Sequence, residues 1–273
     1  MIFEQVAGNI CYPECPRWHD GQVWFSSVFS GEVCTINEDN SISIQHKFDT
    51  PIAGLGWLTY NTLLVVQPLE QTITRIIEKD NHQLYCDLAQ YDQVINNDLF
   101  VDRTGNAYVS GMGNNYINNE PAKPCSIIKI SNNKEVKYAA DEMLCPNGFA
   151  FDQDRQRLYI AESNSDRITR FDFSPDGILS NRTAYFKFNN GDSPDGISLD
   201  KQGRLWVACN NHKVVLIDNS RIVESIEFEQ HPLACLVAGE KLDTLYVLTT
   251  DSFIPDEVQL NPNGRIYKAK LSQ

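Results

Sequence analysis

Asp200-Lys201-Gln202-Gly203-Arg204-Leu205-Trp206-Val207-Ala208 is a polar turn feeding an apolar, aromatic strand, and the chain repeats it. The phrase stands earlier as Asp20-Gly21-Gln22-Val23-Trp24-Phe25-Ser26, as Asn61-Thr62-Leu63-Leu64-Val65-Val66, and as Asp102-Arg103-Thr104-Gly105-Asn106-Ala107-Tyr108-Val109-Ser110. It returns as Arg155-Gln156-Arg157-Leu158-Tyr159-Ile160-Ala161 and as Leu242-Asp243-Thr244-Leu245-Tyr246-Val247-Leu248. Aligned on Trp24, Leu64, Tyr108, Tyr159, Trp206 and Tyr246, the copies are 40, 44, 51, 47 and 40 residues apart. A period in that range is the signature of a propeller blade. Six copies predict an all-β fold, a six-bladed β-propeller, as a single domain over residues 1–273.

A second β-branched stretch follows each copy, at residues 31–36, 72–77, 126–130, 167–171, 213–217 and 264–269. Its partial alternation suits a sheet packed between neighbours. Clusters such as Glu38-Asp39-Asn40 and Pro175-Asp176-Gly177 close the hairpins. The sixth copy reaches the C-terminus, so residues near the N-terminus are expected to supply the outer strand of that sheet. Residues 111–121, rich in Asn and Gly, read as a solvated loop or as a flap over the channel mouth.

With 23 basic and 36 acidic residues the net charge is −13. That charge repels phosphate backbones and anionic lipid, so nucleic-acid and membrane partners are not expected, and a small-molecule substrate is. No apolar run approaches the roughly 18 residues that span a bilayer. Met1-Ile2-Phe3-Glu4-Gln5 lacks the basic start of a signal peptide, which predicts a cytoplasmic location. The eight cysteines contain no Cys-x-x-Cys pair and are expected to be reduced, packing as small hydrophobes. Neither a Gly-x-Ser-x-Gly elbow nor a phosphate-binding glycine loop is present.

Counting back from the aromatic anchors exposes a second regularity. Glu14 stands 10 residues before Trp24, Asn97 11 before Tyr108, Asn147 12 before Tyr159, and Asp195 11 before Trp206. Innermost propeller strands run along the axis, so equal stations are expected to converge on one end of the channel. Two carboxylates and two amide oxygens suit a hard cation: Ca²⁺, Mg²⁺ or Mn²⁺. Taken singly, each is an ordinary turn residue. The chain supplies a control, because Pro175-Asp176-Gly177 repeats Pro194-Asp195-Gly196 at the wrong station, and Asp176 reads as a turn residue. His231 lies where it could reach the channel mouth, although a surface or packing role is expected. Cys15 should point away from Glu14 by strand alternation and be buried. Asp98, for the same reason, reads as a turn or inter-blade hydrogen-bonding residue.

These phrases and their order resemble the family of senescence marker protein 30, gluconolactonase and luciferin-regenerating enzyme. The likeness spans nearly the whole chain and includes Asn181-Arg182 and the closing Gly264-Arg265-Ile266-Tyr267. The resemblance implies a six-bladed propeller with one divalent cation, Ca²⁺ foremost and Mn²⁺, Mg²⁺ or Zn²⁺ as alternatives, and hydrolysis of lactones. It implies that Glu14, Asn147 and Asp195 are the metal ligands, that Asn97 touches metal or substrate, and that Asp195 is the general base. Two positions depart from the pattern. Ile95, in Ile95-Asn96-Asn97-Asp98, stands where sugar-lactone members carry an Arg that binds hydroxyls, and Cys15 stands where a Gly usually follows the Glu. Both changes point away from a polyhydroxy lactone. The alternatives are a metal-dependent isomerase or cyclase acting on a carbonyl compound, and a non-catalytic ligand-binding propeller.

Overall fold

The recurring acidic turn is built by its own aspartate. Asp102 Oδ1 accepts from the N–H groups of Thr104 and Asn106, each at 2.9 Å. Asp200 Oδ1 accepts likewise from Gln202 and Arg204, each at 2.9 Å. Gly105 (φ 81°) and Gly203 (φ 75°) supply the left-handed residue that tightens each turn. The third and fifth copies therefore match because they make the same hairpin.

The structure, a computed structural model, describes residues 1–78 and 81–271. It holds six four-stranded antiparallel sheets, the blades of a six-bladed β-propeller. By contact the chain divides into two compact units, Met1–Pro51 with Phe188–Gln273, and Ile52–Lys187. Among the described residues no helix is long and apolar enough to cross a membrane.

The first unit contains three blades. Blade one is Pro13–His19, Gln22–Ser27, Glu32–Ile36 and Ile42–Lys47. Blade five is Pro194–Leu199, Leu205–Cys209, Lys213–Asp218 and Arg221–Glu227. Blade six is His231–Ala238, Thr244–Thr250 and Gly264–Lys270, and Glu4–Ile10 pairs antiparallel with the last of these. The expected N-terminal closure of the sixth sheet is therefore present. Trp206, Ala208, Val214 and Leu216 of blade five pack against Cys235, Val237, Leu245 and Val247 of blade six.

In the second unit, blade two is Leu55–Thr59, Thr62–Gln67, Thr72–Ile76 and His82–Asp87. Blade three is Ile95–Val101, Ala107–Met112, Cys125–Ile130 and Val136–Met143. Blade four is Pro146–Asp152, Arg157–Glu162, Arg167–Phe173 and Leu179–Lys187. Its core between blades three and four is aromatic, with Phe100 against Tyr108, Phe149, Phe151 and Phe173. The buried Tyr108 hydroxyl donates to Gly177 O at 2.8 Å. Asp176 lies in an exposed turn, as expected. Residues 111–121 include the end of the strand Ala107–Met112 and a 3₁₀ turn, Tyr116–Asn118, whose N-cap Asn115 accepts from the N–H groups of Ile117 and Asn118. Among the described residues no disulfide joins any of the eight cysteines.

Candidate functional site

In each of the four blades that carry a candidate residue, the first strand slips against the second at one place. Two residues of the first strand face one of the second between Glu14 and Arg17, Asn96 and Leu99, Pro146 and Phe149, and Pro194 and Ile197. Such a bulge bends the strand and re-aims the side chains it contains. Asn97, Asn147 and Asp195 lie inside their bulges, and Glu14 lies at the edge of its own. Cys15 has φ 51°, and Cys145 (φ 52°) and Ser193 (φ 46°) hold the same left-handed backbone two residues ahead of Asn147 and Asp195. Cys15 is buried, as expected, but the face-alternation reason for it does not hold. A left-handed residue in a bulge interrupts the period of two on which that reason rests.

Within the second unit the structure brings Asn97 and Asn147 together. Asn97 Nδ2 donates to Asn147 Oδ1 at 2.9 Å, and Asn147 Nδ2 donates to Ser163 Oγ at 3.3 Å. An amide oxygen has two lone pairs, so Asn147 Oδ1 can hold a further partner beside this bond. The approach to Asn147 is pinned by Glu162, a fully buried carboxylate at the end of the neighbouring strand. Its Oε2 accepts from Leu144 N at 3.0 Å, and Arg167 clamps it with two bonds of 2.8 Å. The Thr169 hydroxyl donates to its Oε1. Arg182, part of the motif that carried the resemblance, ties the carbonyls of Asp141 (2.7 Å) and Glu142 (3.0 Å) to this cluster. Burial alone pushes the Glu162 carboxyl up, but Arg167, Thr169 and the Leu144 N–H together hold it below its ordinary value. On blade three, buried Gln93 donates to the carbonyls of Val109 (2.9 Å) and Ser126 (2.7 Å) and accepts from Asn96 (2.7 Å). Asp98 is buried; its Oδ1 accepts from Leu99 N at 2.7 Å, while its own N–H donates to Ser110 Oγ at 3.0 Å. Ile95 is buried at the start of the strand.

The first unit holds the two carboxylates, Glu14 (9% exposed) and Asp195 (5% exposed). Glu14 Oε2 accepts from Cys15 N at 2.7 Å. Asp195 Oδ2 accepts from Asn210 Nδ2 at 2.9 Å, and the same Asn210 nitrogen donates to Pro232 O at 3.0 Å. The first strand of blade six packs against those of blades one and five, placing Cys235 near both acids. Burial pushes the Cys235 thiol well up, and the negative charges of Asp195 and Glu14 add in the same direction. Gly196 makes the approach possible, since a Cβ there would lie 2.5 Å from Ala234 Cβ. His231 is half-buried; its Nδ1 meets Asn210 O at 2.7 Å, and its ring contacts those of His212 and Phe253, tilted by 39° and 48°.

Asn210, Ser163 and Glu162 were not among the expected site residues. A signal for two of them exists in the repeat: Ser163 and Asn210 each stand four residues after their anchors, Tyr159 and Trp206. Each reaches back across its hairpin to the candidate on the neighbouring strand. The donor chemistry of the four candidates is all oxygen, two carboxylate and two amide, which fits a hard divalent cation. Among the described residues no three His, Cys, Asp or Glu side chains cluster as a metal cage. The expected set contains only two residues of those types.

The family profile of the SMP-30/Gluconolactonase/LRE-like region matches residues 12–251. YvrE of Bacillus subtilis (strain 168), provisionally named a sugar lactone lactonase, is 22% identical over 268 residues, 94% of this chain and 90% of its own. A luciferin-regenerating enzyme structure superposes with TM-score 0.81 at 18% identity, covering 98% of this chain and 94% of the other. Regucalcin of Agrobacterium tumefaciens (strain C58), described as a calcium-binding protein, gives TM-score 0.79 at 16% identity, covering 98% and 94%. The repeated blade, the bulged first strands and the match over residues 12–251 together make this chain a member of the SMP-30/gluconolactonase/LRE-like family.

Proposed function

We propose that the protein hydrolyses a lactone, a cyclic ester, using one divalent cation held by Glu14, Asn147 and Asp195, with Asn97 contacting cation or substrate. The observation that carries this proposal is the bulge common to the four first strands, which holds Asn97, Asn147 and Asp195 within it and Glu14 at its edge. Membership of the family supports the reaction class, and the calcium-binding relative supports Ca²⁺ as the ion. A bound cation polarises the lactone carbonyl and stabilises the charge that develops on its oxygen.

The chain's own residues do the rest. Asp195 takes the proton of the attacking water. Asn210, through its bond to Oδ2, fixes the rotation of that carboxylate. Asn97 is oriented by its donation to Asn147, and its amide oxygen is the acceptor it would offer to cation or substrate. Ile95, apolar where an Arg would bind hydroxyls, favours a substrate less polar than a sugar lactone.

Acid release from sugar, aliphatic and aromatic lactones tests the proposal, with wild type and Asp195→Asn each stripped by chelator and reloaded with Ca²⁺, Mn²⁺ or Zn²⁺. Turnover by the wild type should vanish on stripping and return on loading. Asp195→Asn should lower kcat by about 100-fold or more, the scale of a lost general base, with an unchanged circular dichroism spectrum. Full turnover by Asp195→Asn would remove the general base, and full turnover by stripped enzyme would remove the cation. Absence of hydrolysis under every loading would favour an isomerase, a cyclase or a binding propeller.

A further inference from the structure

Five rings line one end of the first unit, and none of them belongs to the candidate set. Phe29 meets Tyr12 with centroids 5.0 Å apart, Tyr12 meets Phe253 at 6.4 Å, Phe253 meets His231 at 4.8 Å, and His231 meets His212 at 4.1 Å. They come from three blades. Tyr12 precedes the first strand of blade one, and Phe29 follows its second strand. His231 opens the first strand of blade six, Phe253 follows its second, and His212 follows the second strand of blade five. Antiparallel pairing puts all of these positions at the strand ends where Glu14 and Asp195 stand.

Two rings of the row, Tyr12 and His231, adjoin the candidate machinery. Tyr12 lies two residues ahead of Glu14, held with φ 64° and accepting from Val28 N at 3.0 Å. His231 contacts Asn210, which bonds Asp195. The backbone beneath the rings is tied down: Gln259 Nε2 donates to Phe29 O at 3.0 Å, and Ser252 Oγ, which accepts from Ile254 N, donates to Glu257 at 2.6 Å. Yet Phe253 remains 36% exposed and Ile254 beside it 53%. The rings meet one another tilted or edge-on, at 39–67°, so these partly exposed rings form an uneven aromatic platform of faces and edges against which a flat apolar group packs at small entropic cost.

We infer that this row of Tyr12, Phe29, Phe253, His231 and His212 binds the substrate's side group, and that the substrate is a neutral lactone carrying an aromatic ring. The inference rests on the hydrolytic function proposed above. A dication on Glu14 and Asp195 would balance their two charges, so the site itself admits a neutral ester, while the chain's net charge of −13 disfavours an anionic ligand approaching from solution. Addition of water across the ester C–O bond gives a carboxylic acid and an alcohol or phenol.

The test compares KM for dihydrocoumarin, a fused aromatic lactone, with KM for glucono-δ-lactone in wild type, Phe253→Ala and Phe253→Leu. Phe253 is partly exposed, so both variants should fold. The preference for the aromatic lactone should fall about tenfold in Phe253→Ala, the scale of one lost ring contact and its buried area, and less in Phe253→Leu. An unchanged preference would overturn the platform while leaving lactone hydrolysis standing. A second readout is equilibrium binding of 2-naphthol, which carries a ring and no ester, followed by its fluorescence. If the wild type turns over no lactone, weaker naphthol binding by Phe253→Ala would uphold the platform without the reaction. Equal binding by both proteins would overturn it.

Discussion

Glu162 shows how one residue supports the site without being part of it. Its carboxylate is fully buried, receives Arg167 and Thr169 on one side, and accepts the Leu144 N–H on the strand entry that leads to Asn147. Replacing one member of such a buried pair typically costs about 3–5 kcal/mol. Glu162→Gln keeps the shape and loses the charge, so about 2–4 kcal/mol is expected by urea denaturation. The pH dependence has a definite sign. The folded carboxyl lies below its ordinary value near 4.5, so its contribution is complete above that value and is lost as pH falls through the lower folded one. Wild-type stability should therefore fall more steeply than that of Glu162→Gln below about pH 4. Parallel curves would show that the charge contributes nothing. Nothing in the local sequence marks Glu162, because its partners lie 5, 7, 18 and 20 residues away.

Among the elements, the first strands repay comparison with their sequence. Period and turn chemistry place all four candidates on first strands, and the structure agrees. The bulges were not legible, because an extra residue in one strand is defined only against its partner. Cys15 suffers most from this: alternation predicts its direction, and a left-handed φ cancels the alternation. Close approach between first strands is equally silent in the sequence. Pro194-Asp195-Gly196 and Pro175-Asp176-Gly177 are the same tripeptide, yet only Gly196 faces the Cα and Cβ of Ala234, where an added Cβ would sit at 2.6 and 2.5 Å. Gly196→Ala should destabilise the protein by about 1–3 kcal/mol, the cost of overpacking a closed site. Thermal unfolding measures it, and an unchanged Tm would show that Ala234 yields freely.

For the molecule as a whole, the sixth sheet carries the closure. Glu4–Ile10 joins Gly264–Lys270, with Val6 and Ile10 buried against Phe25, Leu248 and Ile266. Deleting residues 1–10 should remove two core side chains, whose burial is worth about 1.5–3 kcal/mol each, and bare a strand edge. A lower Tm and concentration-dependent aggregation by light scattering are expected, and wild-type behaviour in both would show the closure to be dispensable. The sequence by itself determined the blade count, the strand order and four oxygen-bearing stations, because these follow from a short-range period and from turns made within a few residues. Only the tertiary structure decided the bulges, the braces at Asn210, Ser163 and Glu162, and the ring row from Phe29 to His212. Those depend on groups far apart along the chain, such as Tyr12 and Phe253, whose contact exists only once hydrogen-bonded strands have set their distance.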